Sequence, residues 1–175
     1  AGSEQAFAGL MNAYAKQLGM TNTHFVNASG YPADDHYASA RDLAVLSRAL
    51  ILQFPEDYAI SAIKEFEWNG IKQGNRNTLL WRDPSVDGIK TGHTAEAGYC
   101  LAASAKQGDS RMIAVVMGAS SEKARADSAM ALLNYGFRFY ETHKLFAAGK
   151  ALASPRLWKG EADTLPLGVS RDLLI

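Results

Sequence analysis

The chain has 175 residues, 47% of them hydrophobic and 21% charged, with Lys+Arg and Asp+Glu balanced at 18 each. This is the composition of a folded globular protein with room for a real core, and it excludes a disordered chain. Zero net charge leaves no electrostatic footprint for nucleic acid or an anionic membrane surface, and no apolar run reaches the ~18–20 residues of a membrane span.

Residues 4–18 carry Phe7, Leu10, Met11, Tyr14 and Leu18 at helical spacing. They predict an amphipathic helix that buries this face and ends at Gly19. Thr23–Asn27 reads as a short strand or extended segment. Ala28–Tyr37, with Gly30, Pro32, Asp34 and Asp35, reads as a loop. Asp34-Asp35-His36 is read as a solvated turn.

Ser39-Ala40-Arg41-Asp42 has a capping-box pattern and opens a helix with Leu43, Leu46 and Leu50 on its apolar face. Pro55 suits the first turn of a further short helix. Glu65–Trp68, Asn69-Gly70 and Ile71–Gln73 read as a hairpin. Asn75-Arg76-Asn77 leads into Leu79-Leu80-Trp81 and an Asp83-Pro84 turn.

Val86–Thr94 and Tyr99–Ala105 read as strands. Arg111–Gly118, the most apolar run, has the length of a central strand buried on both faces. The short connection at residues 107–110 makes the last two strands antiparallel. Ser121 caps a long helix whose apolar face carries Ala129, Leu132, Leu133, Phe137 and Tyr140, with Gly136 allowing close approach. From His143 onward only short strands and turns are expected, so a domain boundary is placed near residue 142.

Cys100 is the one cysteine and cannot form an internal disulfide. It is expected to be a small buried apolar residue. His24, His36, His93 and His143 are scattered without ligand spacing, so neither a metal site nor a cofactor is expected. No basic-apolar-small leader pattern opens the sequence. Ala1–Glu4 already enters a helical pattern and Arg171–Ile175 reads as a strand, which suggests a piece of a longer chain.

The organising stretch is Val86–Thr94 followed by Ala97-Gly98. It contains Lys90-Thr91-Gly92, one of three short motifs of serine β-lactamases and penicillin-binding proteins. Alone the triplet is weak. Three further stretches accompany it in order: Leu18–Phe25, Ser39–Ala44 and Gln73–Leu80. Together with Asp87–Gly98 they resemble the low-molecular-mass penicillin-binding proteins that are D-alanyl-D-alanine carboxypeptidases.

The resemblance implies an α+β fold of the β-lactamase/transpeptidase type, an antiparallel sheet with flanking helices. Residues 1–142 would be the C-terminal half of the catalytic domain, and 143–175 the start of a small all-β domain. The implied reaction is attack by a serine on the terminal D-Ala-D-Ala bond of a peptidoglycan stem peptide, through an acyl-enzyme that β-lactams also form. The implied location is the bacterial periplasm at the outer face of the inner membrane, held there by a C-terminal segment outside this sequence.

One departure is decisive. The family site also needs an early Ser-x-x-Lys and a Ser-x-Asn. No Ser-x-Asn occurs, and Ser61–Lys64 and Ser120–Lys123 do not suit a nucleophile opening a buried helix. Both catalytic motifs are therefore expected upstream, and this chain alone is expected to be inactive.

By resemblance, Lys90 draws in the substrate carboxylate, Thr91 donates to it, and Gly92 leaves room for a substrate backbone on the strand edge. His93 has backbone groups on the same edge, from which one oxyanion-hole N–H is implied. Arg125 is a candidate second cation for the carboxylate, with a solvated helix arginine as the alternative. A related β-lactamase and a non-catalytic module of the same fold are the competing readings. No Glu-x-x-Leu-Asn occurs, which counts against the first.

Overall fold

A computed structural model of the protein describes residues 1–175. Ser3 opens helix α1 (Glu4–Leu18) by accepting the Ala6 N–H, and Gly19 closes it at φ 78°. The expected buried stripe is not buried. Phe7 is 46% exposed and Leu10 59%, while the residues that disappear are the small Ala8 and Ala15. Helix α1 packs on α2 (Ala40–Gln53), and alanines permit that approach without covering the larger side chains.

Ser39 caps α2 by accepting the Asp42 N–H. The return bond of a capping box is absent. Asp is shorter than the Glu or Gln that closes such a box. The Asp42 carboxylate instead accepts the Asn22 N–H at 2.7 Å and the Thr23 hydroxyl at 2.8 Å. Burial works to raise this carboxyl, but the bonds from Thr23, Asn22 and Ser39, with the charge of Arg41, hold it below its ordinary value. The turn before Phe25 is thereby tied to the start of α2.

Pro55 begins α3 (Pro55–Ala59). The hairpin β1 (Glu65–Trp68) and β2 (Ile71–Gly74) turns at Asn69 and Gly70, both with positive φ. A single helical turn, α4 (Leu79–Arg82), then leads into the main sheet.

That sheet is an antiparallel meander of β3 (Val86–Thr94), β4 (Gly98–Gln107) and β5 (Ser110–Ala119), in spatial order β3-β4-β5. The apolar run expected to be central is the edge strand β5, and along it only Ala114 is fully buried. Short turns keep the three strands in sequence order, which puts β4 in the middle. Helix α5 (Glu122–Phe139), capped by Ser121, packs on β4 and β5.

The core joins Leu79, Leu80, Val86 and Leu101 to Ala129 and Leu133. The buried stripe of α5 runs through Ala126, Ala129, Leu133 and Gly136; Leu132 is half exposed and Tyr140 lies beyond the helix. A Cβ at Gly136 would come within 2.9 Å of Met112 Sδ, so the glycine is what lets α5 approach β5. Cys100 is half-buried rather than buried, because it sits opposite Gly92, which has no side chain to cover it.

The chain divides into two compact units, Ala1–Phe139 and Tyr140–Ile175. The second holds two antiparallel pairs, β6 (Lys144–Phe146) with β9 (Leu173–Leu174) and β7 (Ala151–Ala153) with β8 (Leu167–Gly168), and no helix. Asp172 pairs with Lys144 and accepts the Ala148 N–H, and these bonds hold its carboxyl low.

Candidate functional site

Strand β3 has one hydrogen-bonded neighbour, β4, and no strand pairs with its other edge. Lys90, Thr91, Gly92 and His93 lie in the outer half of this strand, opposite Ala102, Leu101, Cys100 and Tyr99. Small residues on both strands keep the edge low and accessible. Lys90, Gly92 and His93 are exposed and Thr91 is half-buried. The Lys90 ammonium folds back to donate to the Thr91 carbonyl. The His93 ring stacks on Tyr99, with centroids 4.0 Å apart.

Arg125 comes from the first turns of α5 and is only 3% exposed, so it is not a solvated helix arginine. Its guanidinium donates to the Gly92 carbonyl at 3.4 Å and to the Arg76 carbonyl at 3.3 Å. Glu122 lies 3.6 Å away, and the Tyr99 ring faces the guanidinium carbon at 5.6 Å. A buried cation requires such partners. Tyr99 thus contacts both His93 and Arg125.

Two hollows meet at this strand. A small polar cavity of about 250 Å³ is bordered by Arg76, Thr91, Gly92, Tyr99 and Arg125, with the Glu122 carboxylate also on its wall. A groove of about 470 Å³ runs past Lys90–Thr94, with Phe25, Asn27, Ser29 and His36 on its other side. Arg76, Thr91, Gly92 and His93 border both. The arrangement offers cations at one end and an open strand edge beside them. That suits an extended peptide ending in a carboxylate.

Arg76 and Tyr99 escape the sequence reading. Arg76 sits in the Gln73–Leu80 stretch, but nothing local says that its chain folds back to the triplet. The device that brings it there is Asn77, 2% exposed, which donates to the Gly88 carbonyl at 2.9 Å. Asn75 accepts the Asn77 N–H and donates to the Ser61 and Ile63 carbonyls. Neither Ser-x-x-Lys pair joins the site. Ser61 lies in a 3-10 turn with its carbonyl held by Asn75, and Lys123 is spent on Asp127 at 2.6 Å.

Comparison with known proteins decides the family. The D-alanyl-D-alanine carboxypeptidase model matches residues 1–121. The chain belongs to the D-alanyl-D-alanine carboxypeptidase family. The D-alanyl-D-alanine carboxypeptidase DacA of Escherichia coli (strain K12) is 49% identical over 176 aligned positions, covering 100% of this chain and 44% of that protein. The chain therefore spans less than half the length of this curated relative.

Penicillin binding protein 5 from Haemophilus influenzae is 41% identical, with a TM-score of 0.88 over 100% of this chain and 52% of that one. Penicillin-Binding Protein D2 from Listeria monocytogenes, solved in its cefotaxime bound form, is 36% identical, with a TM-score of 0.70 over 75% of this chain and 55% of that one. The α+β fold of this carboxypeptidase family chain is that of the penicillin-binding proteins.

Proposed function

We propose that residues 1–142 form the substrate-binding half of a serine-type D-Ala-D-Ala carboxypeptidase domain, and that residues 143–175 begin a β-rich domain. The substrate is the peptidoglycan stem peptide, and the whole protein is acylated by β-lactams. Its place of action is the periplasm, at the outer face of the inner membrane. No helix of this chain is long and apolar enough to cross a membrane.

The observation that carries the reading is Lys90-Thr91-Gly92 on an open strand edge, with buried Arg125 bound to the Gly92 carbonyl behind it, in a chain of this family. The substrate runs along the free edge of β3 as an added strand, and its terminal carboxylate lies between Lys90, Thr91 and the Arg125 cavity. One oxyanion-hole N–H comes from β3 near His93. The nucleophilic serine and its lysine are assigned to a part of the longer protein outside residues 1–175. The acyl-enzyme forms there, D-alanine leaves, and water releases the shortened peptide.

The test is Lys90→Ala in the full-length protein. A charge-assisted contact is worth roughly 1.5–3 kcal/mol, so acylation by a fluorescent penicillin is expected to slow roughly 10- to 150-fold with the fold intact. Unchanged acylation and D-alanine release would remove Lys90 from the site. Residues 1–175 alone are expected to take no label; labelling would refute the external nucleophile.

A further inference from the structure

Away from the open edge, the start of β3 is held by polar groups that the reaction does not use. Asp87 lies at a bulge, where the register with β4 shifts between Val86 and Gly88. Its carboxylate takes two parallel bonds from Arg111, Nη1 to Oδ1 at 2.8 Å and Nη2 to Oδ2 at 2.7 Å. Arg111 belongs to β5, so this fork spans the central strand and ties the two outer strands together. It also donates to Ser104 of β4, fully buried, at 2.7 Å. The Tyr58 hydroxyl of α3 donates to Asp87 and accepts from Arg111 at 3.2 Å.

The grip extends to the next residue. A Cβ on Gly88 would come within 2.9 Å of the Tyr58 hydroxyl. The Gly88 carbonyl is held by Asn77. Gly88 is therefore fixed by α3 on one side and by the 75–78 turn on the other. Lys90 stands two residues further along the same strand. Any shift at Gly88 is passed to Lys90.

A half-buried ion pair is weak evidence for stability, since apolar side chains of similar volume do that work as well. What a bidentate pair with a third hydrogen-bonding partner adds is orientation. Bulges beside active sites re-aim side chains, and an error of about 1 Å in a binding group costs about 10² in rate. We infer that Tyr58, Asp87 and Arg111 are positioning residues that brace β3 and set where Lys90 meets the substrate carboxylate. This deepens the carboxypeptidase reading and rests on it.

The test uses the full-length protein below its melting temperature, with Tyr58→Phe, which keeps the ring, and Arg111→Lys, which keeps the charge but not the fork. Labelling by a fluorescent penicillin is followed in time, so that final stoichiometry and rate constant are read separately. A brace that only stabilises the fold lowers the stoichiometry and leaves the rate constant of the folded fraction unchanged. The positioning role predicts stoichiometry near wild type and a rate constant down about tenfold in each variant. Wild-type rate constants in both variants overturn it. Lys90→Ala separates the two failures. If it slows labelling while both brace variants do not, the brace alone is wrong. If Lys90→Ala labels like wild type, Lys90 leaves the site and the brace falls with it; if the wild-type full-length protein takes no label, the carboxypeptidase reading itself fails.

Discussion

Helices α1 and α5 are both amphipathic by sequence, yet only α5 has its apolar stripe covered. Leu133 of α5 is 1% exposed, packed with Leu101, Ala103 and Ala114 of the sheet. On α1, Phe7, Leu10 and Tyr14 face solvent and border an open apolar recess of about 480 Å³ with Met11, Phe25 and Leu46. Periodicity reports that a face is apolar; it does not report what covers it. Helix α5 packs on the two strands that directly precede it, β4 and β5. Helix α1 packs on α2 through alanines, and its large side chains meet nothing comparable in residues 1–175.

The contrast can be broken by mutation. Leu133→Ala is expected to cost about 2–5 kcal/mol, the range for a buried leucine that leaves a cavity, read as a loss in urea midpoint. Gly136→Ala comes next, at about 1–3 kcal/mol, because the new methyl meets Met112. Leu10→Ala is expected to stay within about 0.5 kcal/mol in the same 1–175 chain. A Leu10 effect as large as that of Leu133 would mean that α1 is buried after all. With so much apolar surface open, residues 1–175 alone are expected to melt at low temperature and to bind a hydrophobic dye. A cooperative high-temperature melt would contradict this.

Acid sharpens the comparison from the sheet side. Burial works to raise the Asp87 carboxyl, but the bonds from Arg111 and Tyr58 and the Arg111 charge overcome it, leaving it below its ordinary value. A carboxyl depressed in the folded state adds stability above the unfolded value of about 3.9 and loses it as pH falls through the folded value. Melts between pH 6 and pH 3 should therefore lose stability at the acid end, and Asp87→Asn should flatten that slope. The same pair leaves the Tyr58 hydroxyl reluctant to ionise: burial and the Asp87 carboxylate push it up to about 12.

Local chemistry was readable in advance. Ser39 and Ser121 cap their helices, Gly19 ends α1, and Asn69-Gly70 turns the hairpin. Each needs only neighbouring residues. The triplet on β3 was readable for the same reason, as an alternating run with small flanking residues. Nonlocal partners were not. Asp42 looks like a capping residue until Asn22 and Thr23 arrive. The apolar β5 looks central until the order of the meander puts it at an edge. Arg76, Tyr58 and Arg111 carry no pattern of their own, and their roles depend on contacts more than 20 residues away along the chain.

The most direct measurement is a crystal structure of the full-length protein acylated by a cephalosporin. The ligand is predicted to lie along the open edge of β3, with its carboxylate in hydrogen-bonding reach of Thr91 Oγ1 and near Lys90. An acylated protein whose ligand leaves that edge empty, with its carboxylate held elsewhere, would contradict the assignment of Lys90-Thr91-Gly92 as the substrate-binding wall.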